Sequence, residues 1–176
     1  MKITVIKYRK LYLLLCSTFF ILYCSFSFSQ QNEIDSLKNL LTNAKQDTTR
    51  VNALLGLCGS YYLSNPDTVL ILAEQVIKIC NKYHFSDVKL DGIVDANDQT
   101  LNNLLYANAS GLYFAGFILH NKNDYPNAIN YYQGALKIFE AQKKSPDSTI
   151  AQQGKKDATT ALSAIGLIYQ KKGDIK

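Results

Sequence analysis

The sequence predicts an all-α protein built from stacked, antiparallel helix pairs. Apolar residues recur at intervals of three or four along most of the chain after residue 30, which is the period of an amphipathic helix. No run of alternating apolar and polar residues is long enough to indicate a strand. Two segments also carry similar residues at the same offsets, and repeated short helices can bury their apolar faces only by packing on one another.

The first 29 residues differ from the rest of the chain and predict a secretory signal peptide. Cationic residues within 1–10 precede a continuous apolar run over 11–23, and small serine residues at 25, 27 and 29 precede a polar segment. The apolar run is shorter than the roughly 20 residues that a spanning helix needs. We expect cleavage near Ser29. The alternatives are an uncleaved N-terminal anchor and lipidation at Cys24.

Removal of this segment would change the charge of the chain. The whole sequence has 19 Lys and Arg residues and 14 Asp and Glu residues, and residues 1–29 hold four of the bases and none of the acids. Residues 30–176 therefore carry a net charge of +1. Their basic residues are mixed with polar and acidic ones, so we expect no nucleic-acid partner. We expect contact with a membrane only through the signal peptide or through sequence beyond Lys176.

Residues 30–176 have the length of one domain and are predicted to contain six helices. The expected ranges are 32–44, 48–63, 66–83, 98–121, 126–143 and 149–171. The residues expected to face inward on the first helix are Ile34, Leu37, Leu40 and Leu41. The candidate N-caps are Asn65 for the third helix, Asn97 or Asp98 for the fourth, and Asp147 or Ser148 for the sixth.

The second and third predicted helices form a first unit, about 48–84. Apolar residues at 51, 54, 55, 58 and 61 share one face of the first helix, and those at 69, 73, 76, 77 and 80 share one face of the second. Pro66 suits the first position of the second helix. Cys58 and Cys80 lie on these faces. In an exported protein they could form a disulfide, or they could pack as small hydrophobic residues.

Residues 109–142 form a complete helix pair, and residues 158–176 repeat its first half. The residues that correspond at an offset of 50 include Leu112, Gly116, Leu119 and Asp124 in the first segment and Leu162, Gly166, Tyr169 and Asp174 in the second. Small residues at a helix interface let backbones approach closely, and aromatic ones fill the volume beside them. The expected small positions are Gly116, Gly166, Ala128 and Ala135, and the expected aromatic positions are Tyr132 and Tyr169.

These residues resemble the tetratricopeptide repeat, a helix-turn-helix unit of about 34 residues. The resemblance covers "GLYFAGFILHNKNDYPNAINYYQGALKIFE" and half a unit in "ALSAIGLIYQKKGDIK", with a weaker unit upstream. It implies a solenoid of antiparallel helix pairs. About 16 residues are inserted between the last two units. Because the last unit lacks its second helix, we expect an exposed apolar stripe at Leu162, Ile165, Leu167 and Tyr169, and a chain that is truncated relative to its parent protein.

The resemblance also implies a binding surface, formed in this family by exposed positions of the first helix of each unit. Those positions are Ser110, Tyr113, Phe117, His120 and Asn121 in the complete unit, Thr160, Ser163, Leu167, Gln170 and Lys171 in the incomplete one, and Asn52, Leu55 and Tyr62 upstream. Tyr62, Tyr113 and Phe117 could form an aromatic strip suited to an extended peptide. Alternatively, Tyr113 and Phe117 could simply pack against the inserted segments.

The sequence contains no pattern that predicts catalysis. The two histidines are not accompanied by ligands at metal-binding spacing, and no phosphate-binding loop is present, so we expect no enzyme activity, cofactor or metal ion. The segments "IDSLKNLLTNAKQDTTRVNALLGL" and "SNPDTVLILAEQVIKI" resemble the exported repeat region of bacterial sensor histidine kinases. This resemblance implies an extracytoplasmic sensory module that binds a protein or peptide. The alternatives are a free-standing periplasmic or surface scaffold and an outer-membrane protein that captures glycans.

Overall fold

A computed structural model describes residues 31–83, 85 and 98–173. These residues form six α-helices and one short 3-10 helix, and no strand occurs among them. The all-α prediction is therefore confirmed for this part of the chain. The predicted signal peptide, His84, the segment 86–97 and the last three residues lie outside the described residues. The chain from Leu37 onward forms one compact unit, and residues 31–36 belong to another.

The helices lie within three residues of the predicted ranges. They are α1 (residues 31–43), α2 (Asp47–Tyr61), α3 (Pro66–Cys80), α4 (Gln99–Asn121), α5 (Tyr125–Gln142) and α6 (Ser148–Lys171), and the 3-10 helix Asn81–Tyr83 follows α3. Residues 148–157, in the insertion between the last two predicted repeat units, form the first turns of α6, which begins well before position 158. The insertion therefore lengthens a helix instead of adding a separate domain.

Polar side chains determine where several helices begin. Asn65 accepts a hydrogen bond from a backbone N–H in the first turn of α3 at 3.2 Å, with Pro66 at the first position. Asp98 accepts a hydrogen bond at 3.1 Å from a backbone N–H in the first turn of α4. Asp147 accepts hydrogen bonds from two backbone N–H groups of α6, at 2.8 and 3.1 Å. These bonds satisfy N–H groups that have no carbonyl partner within the helix. The structure thus selects Asp98 and Asp147 from the predicted pairs of caps.

Helices that follow one another in sequence are neighbours in space. From α2 to α6 each helix packs mainly on the next one, and further contacts join α2 to α4 and α4 to α6. The predicted apolar faces of α2 and α3 form much of the core. The buried members of these faces are Val51, Leu54, Cys58, Val69, Ala73, Val76 and Cys80. In contrast to the prediction for α1, Leu40 is 46% exposed, whereas Leu37 and Leu41 are half-buried.

The two thiols of the first predicted repeat unit, those of Cys58 and Cys80, are free and buried. Cys58 donates a weak hydrogen bond to the carbonyl of Val69 at 3.8 Å, and Cys80 donates one to the carbonyl of Leu104 at 3.4 Å. Of the two alternatives drawn from the sequence, the structure contains the packed thiols and no disulfide between them. Burial raises the pKa of each thiol to about 12.

Gly116 and Gly154 are among the glycines that lie where helices nearly touch. A Cβ atom at Gly116 would lie 2.9 Å from the ring of Tyr132 and 3.2 Å from the carbonyl oxygen of Ala128 on α5. A Cβ atom at Gly154 would lie 2.6 Å from a backbone nitrogen at the end of α5. By contrast, nothing among the described residues lies within 4 Å of a Cβ at Gly166. The predicted close approach is therefore present at Gly116 and absent at Gly166, because no described helix covers that side of α6.

Candidate binding groove

A cavity of about 180 Å³ lies between α4 and α6, and α5 contributes one residue to its lining. We refer to it as the α4–α6 cavity. Its lining residues are Tyr106, Ser110, Tyr113 and Phe114 of α4, Phe139 of α5, and Asp157 and Thr160 of α6. The four residues of α4 follow the spacing of a single helix face. A cavity of about 150 Å³ in another protein holds benzene, so this one has room for one group of side-chain size.

The lining of the α4–α6 cavity is mainly aromatic and contains one carboxylate. Tyr106 and Phe139 have ring centroids 6.3 Å apart and a tilt of 55°. The half-buried carboxylate of Asp157 accepts hydrogen bonds from the side-chain amide of Gln153 at 2.9 and 3.0 Å. The pKa of Tyr106 is raised, first by burial of its hydroxyl and next by the negative charge of Asp157. Both residues line the cavity, and a side-chain hydrogen bond joins the phenol to the carboxylate.

The predicted aromatic strip lies on the α2 side of the same helix. Tyr62, at the end of α2, stacks on Phe117 with ring centroids 4.6 Å apart and an interplanar angle of 25°. Tyr113 packs against the buried Tyr132, with ring centroids 5.3 Å apart. Burial raises the pKa of Tyr113, and the nearby Tyr62 and then Asp157 raise it further. Tyr113 and Phe117 are half-buried against the core formed by α5 and α6, so they contribute to packing and leave part of each ring open.

Tyr132 is fully buried at the centre of this region. Its hydroxyl has no hydrogen-bond partner among the described residues, and burial raises its pKa well above the ordinary value. Ala128 and Ala135, one turn on either side along α5, are also fully buried. Small residues at these positions let α4 and α6 pack close to α5 while the Tyr132 ring fills the space between them.

His120 occupies the junction of α4, α5 and α6. It is only 8% exposed, in contrast to the exposed position that the repeat pattern predicts. Its ring meets Tyr125 and Tyr132 edge to face, with centroids 5.9 and 6.4 Å away. Its Nε2 atom lies 3.4 Å from Nζ of Lys171. Burial and then the charge of Lys171 lower the pKa of this imidazole. The ring therefore belongs to the packing between helices.

The remaining predicted positions are divided between the cavity and the outer surface. Ser110 lines the cavity, as does Thr160, whereas Asn121 is exposed at the end of α4. Leu167 and Gln170 are exposed on α6 and do not line the cavity. The other exposed positions outside the cavity lining are Asn52, Ser163 and Lys171, and the half-buried ones are Leu55 and Leu112. In contrast to the prediction that it fills space between helices, Tyr169 is 37% exposed.

Sequence reasoning missed Tyr106, Phe114, Phe139 and Asp157. Tyr106 precedes the predicted repeat unit, and Asp157 lies in the inserted turns of α6, so the repeat pattern assigns no role to either. Helical spacing offers a signal for the first two, since Tyr106, Tyr113 and Phe114 share a face with Ser110. Nothing in the local sequence indicates that Asp157 would meet them, because that contact depends on how α4 and α6 are packed.

Other kinds of site are not found in the described part of the chain. No group of three or more His, Cys, Asp or Glu side chains there is arranged to hold a metal ion. No helix within residues 31–83 and 98–173 is long and apolar enough to cross a membrane.

Comparisons with protein-family models, with curated proteins and with solved structures give no significant match. A functional proposal for this chain therefore depends on its sequence pattern and on the geometry of the α4–α6 cavity.

Proposed function

We propose that this chain is a tetratricopeptide-like repeat module that binds an extended segment of another protein. The observation that carries the proposal is the α4–α6 cavity, which opens between the two helices that the repeat pattern makes equivalent. Ser110 and Tyr113 line it and also occupy positions that the resemblance assigns to the binding surface. Exposed aromatic and hydroxyl groups in a concave site are typical of peptide recognition.

Two features of the packing support the repeat assignment. Sequential helices pack on one another, and α4 also touches α2 and α6, which agrees with the contacts that stacked helix pairs produce. Gly116 lies against Tyr132 and Ala128, which are the aromatic and small positions expected of the same unit. A solenoid of this kind presents grooves between equivalent helices, and such grooves are suited to extended chains.

The proposed location is the extracytoplasmic side of a bacterial membrane, as the sensory part of a signalling protein. This part of the proposal depends on the composition of residues 1–29 and on the resemblance of the first unit to sensor-kinase repeat regions. A free-standing scaffold is the alternative. Intact-mass measurement of the protein secreted by a bacterial host should give an N-terminus near Gln30, and an N-terminus at Met1 would contradict export with cleavage. In the coding sequence after Lys176, an apolar run of about 20 residues would favour the sensor.

Peptide binding can be tested by selecting from a displayed library of random peptides on the purified protein. Selected peptides are then measured by fluorescence anisotropy against two variants. Ser110→Trp places a large ring in the lining of the cavity, and Gln133→Trp adds the same ring at an exposed position of α5. We expect Ser110→Trp to abolish binding and Gln133→Trp to leave it unchanged.

Two outcomes would contradict the proposal. One is that no peptide is enriched over a control selection without protein. The other is that both tryptophan variants bind the selected peptides equally well, which would place the binding surface elsewhere. Far-UV circular dichroism of the two variants verifies that each retains its helices, so that loss of binding is not mistaken for loss of fold.

A further inference from the structure

The α4–α6 cavity combines a carboxylate with aromatic rings. Asp157 is the one acidic residue of α6, and the hydrogen-bond donors at its carboxylate are both neutral, the side-chain amide of Gln153 and the hydroxyl of Tyr106. None of the ion pairs among the described residues includes it. A negative charge in a partly enclosed site is stabilised by a cation that enters the site, because the low local dielectric strengthens their attraction.

The rings around Asp157 favour the same kind of guest. The face of an aromatic ring attracts a cation within about 6 Å. Phe139 is only 3% exposed and Tyr106 is 37% exposed, so the ring pair extends from the interior to the rim. The raised pKa of Tyr106, due first to burial and then to the Asp157 charge, agrees with a ring that adjoins the carboxylate. The hydroxyl oxygens of Ser110 and Thr160 add hydrogen-bond acceptors to the wall.

We infer that the α4–α6 cavity receives the side chain of an arginine residue in an extended peptide, with the guanidinium paired to Asp157 and stacked on the ring of Tyr106. A planar guanidinium fits this lining better than an ammonium does, because it stacks on rings and presents five donors to carboxylate and hydroxyl oxygens. The volume of about 180 Å³ is below the roughly 300 Å³ of pockets for drug-sized ligands, and it suits a single side chain. This inference rests on the proposed peptide-binding function and specifies the residue that is recognised.

The test uses four short peptides and the unaltered protein. The probes are Gly-Ser-Arg-Ser-Gly, blocked at both ends, and its counterparts with lysine, citrulline or glutamate in the centre. Citrulline has the shape of arginine without the charge. Each peptide is titrated into the ¹⁵N-labelled protein, and the backbone amide signals of Tyr106, Ser110 and Asp157 are followed. We expect the largest shifts and the tightest binding with arginine, weaker binding with lysine, and none with citrulline or glutamate.

Two variants test the role of the carboxylate. Asp157→Asn removes the charge and keeps an oxygen that can accept a hydrogen bond from Gln153. Glu74→Gln removes the same charge at an exposed position of α3. Loss of a charge-assisted hydrogen bond should weaken binding of the arginine peptide about tenfold in Asp157→Asn. Glu74→Gln should bind it as the unaltered protein does.

Several outcomes would overturn the inference. Equal binding of the arginine and citrulline peptides would show that charge is not recognised, and peptide binding in the groove, the proposed function, would stand. Equal affinities of Asp157→Asn and Glu74→Gln would show the same for this carboxylate. If none of the four peptides shifts the cavity signals, arginine recognition is wrong, and the library selection decides separately whether the groove binds peptides. The citrulline comparison needs no variant, so a folding defect cannot obscure it.

Discussion

Replacement of Gly154 by alanine tests the closest approach between α5 and α6. The added Cβ would lie 2.6 Å from the backbone nitrogen of Lys143 and 2.9 Å from the carbonyl oxygen of Phe139. Favourable contacts between heavy atoms require about 3.5 Å or more, so the two helices would have to separate by up to about 1 Å. Backbone atoms on both sides cannot rotate away, as a side chain could. The strain must therefore be relieved by a movement of α6.

The expected free-energy change is the balance of two terms. Alanine is favoured over glycine within a helix by about 1 kcal/mol. Overpacking of a close contact costs about 1–3 kcal/mol, and the upper end applies here because the obstacle is backbone. Gly154→Ala should therefore lower the free energy of unfolding by about 2 kcal/mol, which corresponds to a fall in Tm of about 4–8 °C for a chain of this length.

The matched control is Gly59→Ala. Gly59 lies in the last turn of α2, and nothing among the described residues lies within 4 Å of its Cβ position. This change should raise the free energy of unfolding by up to about 1 kcal/mol. Urea titrations followed by circular dichroism measure both variants. If Gly154→Ala were as stable as Gly59→Ala, the spacing of α5 and α6 described here would be wrong.

Three further predictions follow from the same contacts. Gly116→Ala should lower the free energy of unfolding because its Cβ meets the Tyr132 ring, whereas Gly166→Ala should raise it by up to about 1 kcal/mol. Thermal melts compare the two variants, and a change of Tm in the same direction for both would contradict the contrast in packing. Burial lowers the pKa of His120 from its ordinary value of about 6.5, so the unfolded chain binds the proton more tightly. Stability should therefore fall as pH falls through about 6.5, and urea titrations should show a smaller fall for His120→Gln than for the unaltered protein. Burial raises the pKa of the Cys58 and Cys80 thiols to about 12, so iodoacetamide should label them slowly in the folded protein at about pH 8 and rapidly in urea. Equal labelling rates with and without urea would show that the thiols are accessible in the folded protein.

The helices and their ends could be predicted from the sequence because both depend on residues close together in the chain. Apolar spacing identifies the buried faces of α2 and α3, and the side chains of Asn65 and Asp147 reach backbone N–H groups only two or three residues ahead. The repeat pattern also placed Gly116 at a close contact within its own helix pair. The helix ends and apolar faces are local properties, whereas the contact of Gly116 was expected from the resemblance to a known repeat.

The candidate site was predicted only in part. Ser110, Tyr113 and Thr160 were expected at a binding surface and line the cavity, whereas His120 was expected at that surface and is buried. The repeat pattern indicates which face of a helix is involved. It does not determine how deeply that face is covered, because the covering comes from Tyr125 and Tyr132 on another helix.

For the part of the chain that the structure describes, the sequence by itself determined the number of helices, their approximate ends and the buried faces of α2 and α3. The tertiary structure decided which of two equivalent glycines touches a neighbour, and it brought Asp157 beside Tyr106 across a separation of 51 positions in the chain. The physical reason is that helix periodicity depends on a few consecutive residues, whereas a contact between helices depends on their lengths and spacing. Here the additional turns at the start of α6 carry Gly154 against α5 and Asp157 into the cavity, and no local pattern encodes that placement.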